Sequence, residues 1–222
     1  MNGKNIFILG IAAMATFSLL GFVAAAENVS DDTDDVWHWT WNANTGTYSW
    51  AHSTTSRPNI DITELSYGTS GQQVVLTLKV AGSIADSEKI IYAAFYNTTD
   101  ATYYMTYTNG TGACMGVSGN YTSFATGNVT VSGNTITGTI NLLGSGTKSD
   151  FYGYAYEYTH FGDTSGEWWG DWAPQDDSPW YGTETDNDGD GGSDDGGGSS
   201  TPGFGIALAL GAIALIAVLR KK

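Results

Sequence analysis

The 222-residue chain has little cysteine, little proline and little positive charge. Its single cysteine, Cys114, excludes an internal disulfide and a zinc site built from several cysteines. Eight Lys and Arg residues stand against 23 Asp and Glu residues, which gives a formal net charge of −15. Because nucleic-acid binding depends on Lys and Arg contacts with phosphates, this balance excludes a nucleic-acid partner.

Sequence motifs for catalysis are also missing. The chain has no P-loop, no Gly-x-Ser-x-Gly motif and no His-Glu-x-x-His motif. Neither Cys114 nor any histidine stands in a recognised catalytic or metal-binding spacing. We therefore expect a protein without an enzymatic role of its own, without a cofactor and without a metal site.

Aromatic residues are abundant instead, at 13% of the chain, and this argues against a wholly disordered protein. Val74, Leu76, Leu78 and Val80 alternate with other residues, a period of two that predicts a β-strand. Tyr152, Tyr154, Tyr156 and Tyr158 should likewise share one face of a strand. Turn signals predict three hairpins, joining 60–66 to 73–81, 90–97 to 101–108 and 128–131 to 135–142. We predict an all-β domain over residues 36–183, a single antiparallel β-sandwich of the jelly-roll or immunoglobulin-like kind.

The N-terminal segment is typical of a secretory signal peptide over residues 1–26. Lys4 supplies the positive charge, an apolar run follows, and Ala24-Ala25-Ala26 offers a small-residue cleavage site. The apolar run is longer than usual, so an uncleaved N-terminal anchor is the alternative. Residues 27–35 then form an acidic segment that we expect to be a flexible arm outside the domain.

The C-terminal segment has three parts in a fixed order. Residues 184–201 contain Gly, Ser, Thr, Asn and acids, which predicts a flexible linker. In this linker 186–191 resemble the start of an EF-hand loop, but the acid expected at position twelve is Gly197, so we read it as a solvated spacer. Residues 202–222 begin with Pro202-Gly203-Phe204, continue as an apolar run and end in three basic residues. The run would be about 22 Å long as a helix, against the roughly 30 Å of a bilayer core.

This order of tripeptide, apolar helix and basic end resembles the PGF-type C-terminal sorting signal of archaeal surface proteins. The resemblance implies that an archaeosortase-type enzyme removes the tail and that a lipid anchor replaces it. It implies a location on the extracellular face of the cell membrane, with envelope glycans or an S-layer as neighbours. An ordinary C-terminal membrane anchor is the alternative, with its basic end in the cytoplasm.

Two short segments of the middle resemble the β-sandwiches of the DOMON and family-9 carbohydrate-module type. These are residues 57–62 (Arg-Pro-Asn-Ile-Asp-Ile) and 171–174 (Asp-Trp-Ala-Pro). Some members of that group bind sugars and others bind haem, and no binding residue carries over to this chain. A haem would need axial ligands such as Met105 or Met115 with His160.

Tryptophan is confined to the two ends of the predicted domain. Trp168, Trp169 and Trp172 stand beside Glu167 and Asp171, a combination that suits a glycan site because indole rings stack on sugars and carboxylates accept hydroxyl hydrogen bonds. These five are the candidate ligand-binding residues, and a glycan-active hydrolase or carbohydrate-binding module is the alternative function. Asp163 with Glu167 and Asp171 could also bind calcium. The simpler interpretation is that the first and last strands pair and their tryptophans close the ends of the core.

Five asparagines stand in the N-glycosylation motif Asn-x-Ser/Thr, and one or more should be modified in an exported protein. They are Asn28, Asn97, Asn109, Asn120 and Asn128. Together these features predict an exported, surface-anchored β-sandwich, flanked by a signal helix and a membrane helix, that serves as a binding or structural module of the cell envelope.

Overall fold

The structure is a computed structural model that describes residues 24–45, 47–159 and 166–174. All regular elements in these ranges are β-strands. No stretch of the described residues forms an apolar helix of membrane-spanning length. The strands are β1 (Ala24–Ser30), β2 (Trp37–Asn42), β3 (Thr47–His52), β4 (Ile62–Ser70), β5 (Gln73–Val80), β6 (Ile90–Thr98), β7 (Ala101–Thr108), β8 (Thr111–Ser118), β9 (Phe124–Ser132), β10 (Thr135–Asn141), β11 (Lys148–Tyr158) and β12 (Trp168–Ala173).

The strands form one antiparallel sheet in the order β1-β4-β5-β10-β9-β8-β7-β6-β11-β12-β2-β3. The prediction of an all-β antiparallel domain is therefore confirmed. The three predicted hairpins are present as β4–β5, β6–β7 and β9–β10. β4 continues to Ser70, so the first hairpin turns at residues 71–72, later than its sequence indicates.

The sheet curls at β9. This strand joins one half of the sheet (β1, β4, β5 and β10) to the other half (β8, β7, β6, β11, β12, β2 and β3). Residues 124–126 of β9 pair with β8, whereas residues 127–132 pair with β10. Gly127 lies at the change of partner, and a Cβ atom there would stand 2.0 Å from the carbonyl oxygen of Thr139 and 2.7 Å from Sγ of Cys114. Only glycine leaves the space for this close approach of β9 to its neighbours.

The curl encloses the inner core, a cluster of buried side chains from both halves of the sheet. Leu65 of β4 faces Gly153 of β11, where an added Cβ would come within 2.8 Å of the Leu65 side chain. The ring of Tyr67 lies 4.1 Å from that of Tyr96 on β6. The predicted inward residues of β5 are all at 0% exposure; they are Val74, Leu76, Leu78 and Val80. Burial of each aliphatic side chain of this size contributes about 1.5–3 kcal/mol to folding.

A second cluster, the outer aromatic layer, covers the opposite face of β2, β12, β11, β6 and β7. The four tyrosines predicted on one face of β11 all lie in it or pack against it. The Trp39 ring stacks on Trp168 at 3.9 Å between centroids, and Tyr152 stacks on Trp172 at 5.2 Å. The predicted pairing of the first tryptophan strand with the last is confirmed as β2–β12. Their outward tryptophans build this separate layer, whereas Trp169 of β12 packs against the inner core.

The N-terminal acidic arm differs from its prediction. Glu27–Ser30 belong to β1, an edge strand that pairs with β4. Lys148 holds this strand through an ion pair with Glu27 at 2.5 Å. The pairing continues back to Ala24, opposite Thr69. Backbone hydrogen bonds to a neighbouring strand do not depend on apolar alternation, which is why the acidic composition concealed the strand. Residues 1–23, 160–165, the linker 184–201 and the segment 202–222 lie outside the described residues.

Gly127→Ala should destabilise the protein by about 1–3 kcal/mol, because the new methyl group meets a backbone oxygen of the sheet that cannot move without loss of pairing. Denaturant unfolding of the full chain in detergent, followed by tryptophan fluorescence, measures this change. Gly119→Ala is the matched control, since its Cβ would meet nothing closer than 3.5 Å and should change stability by less than about 0.5 kcal/mol. Equal stability of the two variants would contradict the close packing at the curl.

Candidate functional site

The five candidate ligand-binding residues at the end of the domain do not form one site. Strand alternation places Trp168 and Trp172 in the outer aromatic layer, where they are 2% and 3% exposed. Their ring faces stack on neighbouring rings, so they do not present an open platform for a sugar. Asp171, between them, lies on the inner side of the strand.

Trp169 also faces the inner side, and its ring takes part in a small polar stack. The His38 ring lies parallel to it at 4.6 Å, and the guanidinium carbon of Arg57 stands 3.9 Å from its centroid. Arg57 donates a hydrogen bond to Glu157 at 2.8 Å. Glu167 lies 3.8 Å from Nε2 of His38. Cation–π and ion-pair contacts of this kind stabilise the join between β2, β11 and β12.

The haem and calcium hypotheses depend on residues that the structure describes only in part. Met105 is buried in the inner core, whereas Met115 packs against the outer aromatic layer on the opposite face. The two methionines proposed as alternative haem ligands therefore face different environments. His160 and Asp163 lie outside the described residues, as do Pro202, Gly203 and Phe204 of the sorting signal. Cys114 is buried, and burial raises the pKa of its thiol, which makes it a poor nucleophile.

The fold brings four aspartates together, and they are called the carboxylate cluster below. It consists of Asp31 and Asp35 from the loop between β1 and β2, Asp61 directly before β4, and Asp171 of β12. One carboxylate oxygen from each of Asp31, Asp35 and Asp171 lies within 4.8 Å of the others. Asp61 and Asp171 are 1% and 0% exposed. These acids come from three separate parts of the chain and meet at one end of the inner core.

Backbone amides orient two of these carboxylates. The Ile62 amide donates to Oδ2 of Asp171 at 2.6 Å, and the Trp172 amide donates to Oδ1 at 2.8 Å. The Asp34 amide donates to Oδ2 of Asp61 at 2.8 Å. Asp34 has a φ of 64°, a left-handed conformation that directs this amide toward Asp61. The loop after β1 is thus bound to the start of β4, and the start of β4 is bound to β12.

Each charged acid of the cluster disfavours the ionised form of its neighbours. Burial, together with the neighbouring charge of Asp35, raises the pKa of Asp31 to about 8. Burial, and then the charges of Asp35 and Asp31, raises the pKa of Asp171 well above its usual range. Burial also raises the pKa of Asp61, although the Asp34 amide acts in the opposite direction. A group of buried acids of this kind can hold protons or a metal cation.

Sequence reasoning missed this cluster because its members stand in unrelated contexts. Asp31 and Asp35 belong to a segment predicted to be a solvated arm, and Asp61 belongs to a predicted strand. Asp171 stands among the tryptophans of the candidate ligand-binding residues. The sequence contains one signal of the cluster, which is the position of Asp171. Strand alternation puts Asp171 on the same face as Trp169 and Ala173, and an acid on the inner face of a buried strand needs a compensating partner.

The five glycosylation candidates differ in solvent exposure. Asn28, Asn109, Asn120 and Asn128 are exposed, whereas Asn97 is half-buried. Asn109 and Asn120 occupy turns, but Asn128 lies within β9. The amide nitrogen of Asn97 lies 3.5 Å from Oδ2 of Asp150 on the neighbouring strand.

Comparison of the chain with protein-family models, with curated proteins and with solved structures gave no match.

In EDTA the melting temperature should fall as the pH rises from 5 to 8. Asp31 keeps its proton in the folded state up to about pH 8, whereas an unfolded Asp loses it near pH ~3.9. The folded state therefore binds more protons in this interval, and stability decreases with pH. The groups facing Asp31 are themselves acids: Asp32, Asp35, Asp61 and Asp171.

Thermal unfolding of the full chain, monitored by near-ultraviolet circular dichroism, tests this pH dependence. Asp31→Asn should reduce the slope. Glu88→Gln, which removes an exposed acid between β5 and β6, should leave it unchanged. A melting temperature that rises from pH 5 to pH 8, or an unaltered slope in Asp31→Asn, would refute the assignment.

Proposed function

We propose that the protein is exported and held at the outer face of the cell membrane, where its β domain is a binding or structural module of the cell envelope. In this proposal the curled sheet is a β-sandwich, preceded by a signal helix and followed by a membrane helix. An archaeosortase-type enzyme processes the tail, and envelope glycans or an S-layer are its surroundings.

The order of segments at the C-terminus carries this proposal. Pro202-Gly203-Phe204 follows an acidic linker, precedes an apolar run of 15 residues (205–219) and is separated by that run from Arg220-Lys221-Lys222. The run is short for a permanent span, which suits a tail that is inserted and then removed. The basic end would remain in the cytoplasm, leaving the acidic domain outside.

The charge distribution supports the same orientation. All 23 acids lie between Glu27 and Asp195, and four of the eight basic residues belong to the two terminal segments that processing would remove. A strongly acidic exported domain on an acidic, glycine-rich linker stays soluble and extends from the surface.

Cleavage after Ala26 is compatible with the folded domain. It would remove Ala24 to Ala26 from β1 and leave Glu27–Ser30 paired with β4. The mature chain would then begin at the strand that Lys148 holds through Glu27.

Processing is tested by the intact mass of the protein purified from a host with an archaeosortase-type enzyme. The mature protein should lack residues 1–26 and the tail that begins near Pro202, and it should carry a lipid. Replacement of Pro202, Gly203 and Phe204 by alanine should preserve the tail. Replacement of Ser199, Ser200 and Thr201 by alanine is the matched control and should permit removal. A wild-type mass that retains residues 220–222 would overturn tail removal.

Glycosylation is tested by glycopeptide mapping of the same material. One or more of the exposed sites, Asn28, Asn109, Asn120 and Asn128, should carry a glycan, and Asn97 should not, because it is half-buried beside Asp150. Asn→Gln substitution at each occupied site should remove the corresponding mass. A glycan on Asn97, or unmodified asparagine at all five positions, would contradict this expectation.

A further inference from the structure

The carboxylate cluster has the dimensions of a calcium site. Calcium binds oxygen ligands at about 2.3–2.6 Å, so two ligands on opposite sides of one ion are ~4.8 Å apart. The three oxygens from Asp31, Asp35 and Asp171 all lie within 4.8 Å of one another. This spacing is compatible with all three oxygens being ligands of one ion.

Asp61 supplies a second, independent observation. Its side chain is 1% exposed, and only its Oδ2 accepts a hydrogen bond, from the Asp34 amide. In the part of the chain that the structure describes, its Oδ1 is buried and accepts no hydrogen bond. Its charge acts on Asp31, and the charge of Asp35 acts on it, so its carboxyl group lies near these two acids.

Asp31 also has one buried carboxylate oxygen without a hydrogen-bond partner. Its Oδ2 accepts no hydrogen bond from the described residues. Burial of a carboxylate oxygen without a partner costs several kcal/mol when the group is charged. Two such oxygens, on acids whose charges act on each other and beside further carboxylates, indicate a position suited to positive charge.

We propose that Asp31, Asp35 and Asp171, with Asp61 beside them, bind one calcium ion. The cluster offers oxygen ligands alone, which hard cations prefer over the nitrogen and sulfur ligands typical of zinc. Magnesium requires ligands at about 2.0–2.1 Å in a near-ideal octahedron, and it usually retains several waters. A group of three or four carboxylates is better suited to the larger and geometrically tolerant calcium ion.

The ion would link three parts of the chain that are distant in sequence, at one end of the inner core. Asp31 and Asp35 follow edge strand β1, Asp61 precedes β4, and Asp171 lies in β12. The ion would thus hold the loop after β1 against both halves of the curled sheet. This inference stands independently of export and of tail removal.

Calcium binding is tested on the full chain in detergent, stripped with EDTA and titrated with CaCl2 by isothermal titration calorimetry. One ion should bind per cluster. The melting temperature should rise by about 5–10 °C at a calcium concentration one hundredfold above the dissociation constant. Asp31→Asn and Asp35→Asn should each weaken binding at least about tenfold.

Two controls separate this site from other acids of the chain. Glu88→Gln removes an exposed charge outside the cluster and should change affinity by less than about threefold. Replacement of Asp186, Asp188 and Asp190 by asparagine in the linker should leave the thermal shift unchanged. In EDTA, Asp31→Asn should be at least as stable as wild type because repulsion is relieved, and in calcium it should be less stable.

Three results would overturn the proposal. The first is a wild-type melting temperature that is the same in EDTA and in 10 mM CaCl2, which would mean that the cluster holds protons instead. The second is a calcium response that survives in both Asp31→Asn and Asp35→Asn, which would place the ion elsewhere. The third is tighter binding of MgCl2 than of CaCl2.

Discussion

The continuity of one sheet through β9 is the constraint on which the rest of the structure depends. Gly127 permits β9 to leave β8 and join β10 because no side chain stands between it and Thr139. The two halves consequently face each other and share one core, with Leu65 packed against Gly153 and Tyr67 against Tyr96. Without the curl, the inward residues of both halves would lose their partners across the core.

The half of the sheet formed by β6, β11 and β12 is covered on both faces. Its inner face packs on the core, while stacked rings such as Trp39 on Trp168 cover its outer face. A strand buried on both sides has no exposed face for polar residues, which explains the long aromatic sequence of β11. It also explains why Trp168 and Trp172, two of the candidate ligand-binding residues, are packing residues in the fold.

The carboxylate cluster introduces electrostatic repulsion at one end of the inner core. Asp171 is fully buried and orients its oxygens through the amides of Ile62 and Trp172, while Asp31 and Asp35 approach from the loop after β1. Apolar burial holds these acids together although their charged forms repel one another. Such a group responds to protons, because burial and neighbouring charges raise the pKa values of Asp31 and Asp171.

The sequence alone determined the local elements: the alternation of Val74 to Val80, the tyrosine face of β11 and the three hairpins depend on neighbouring residues, and all are present in the structure. It also determined the acidic charge and the order of terminal segments. Tertiary structure alone decided that the acidic segment after residue 26 enters edge strand β1, and that Asp31 meets Asp171. Strand pairing and like-charge contacts join residues far apart in the chain, and no local pattern records which strands become neighbours.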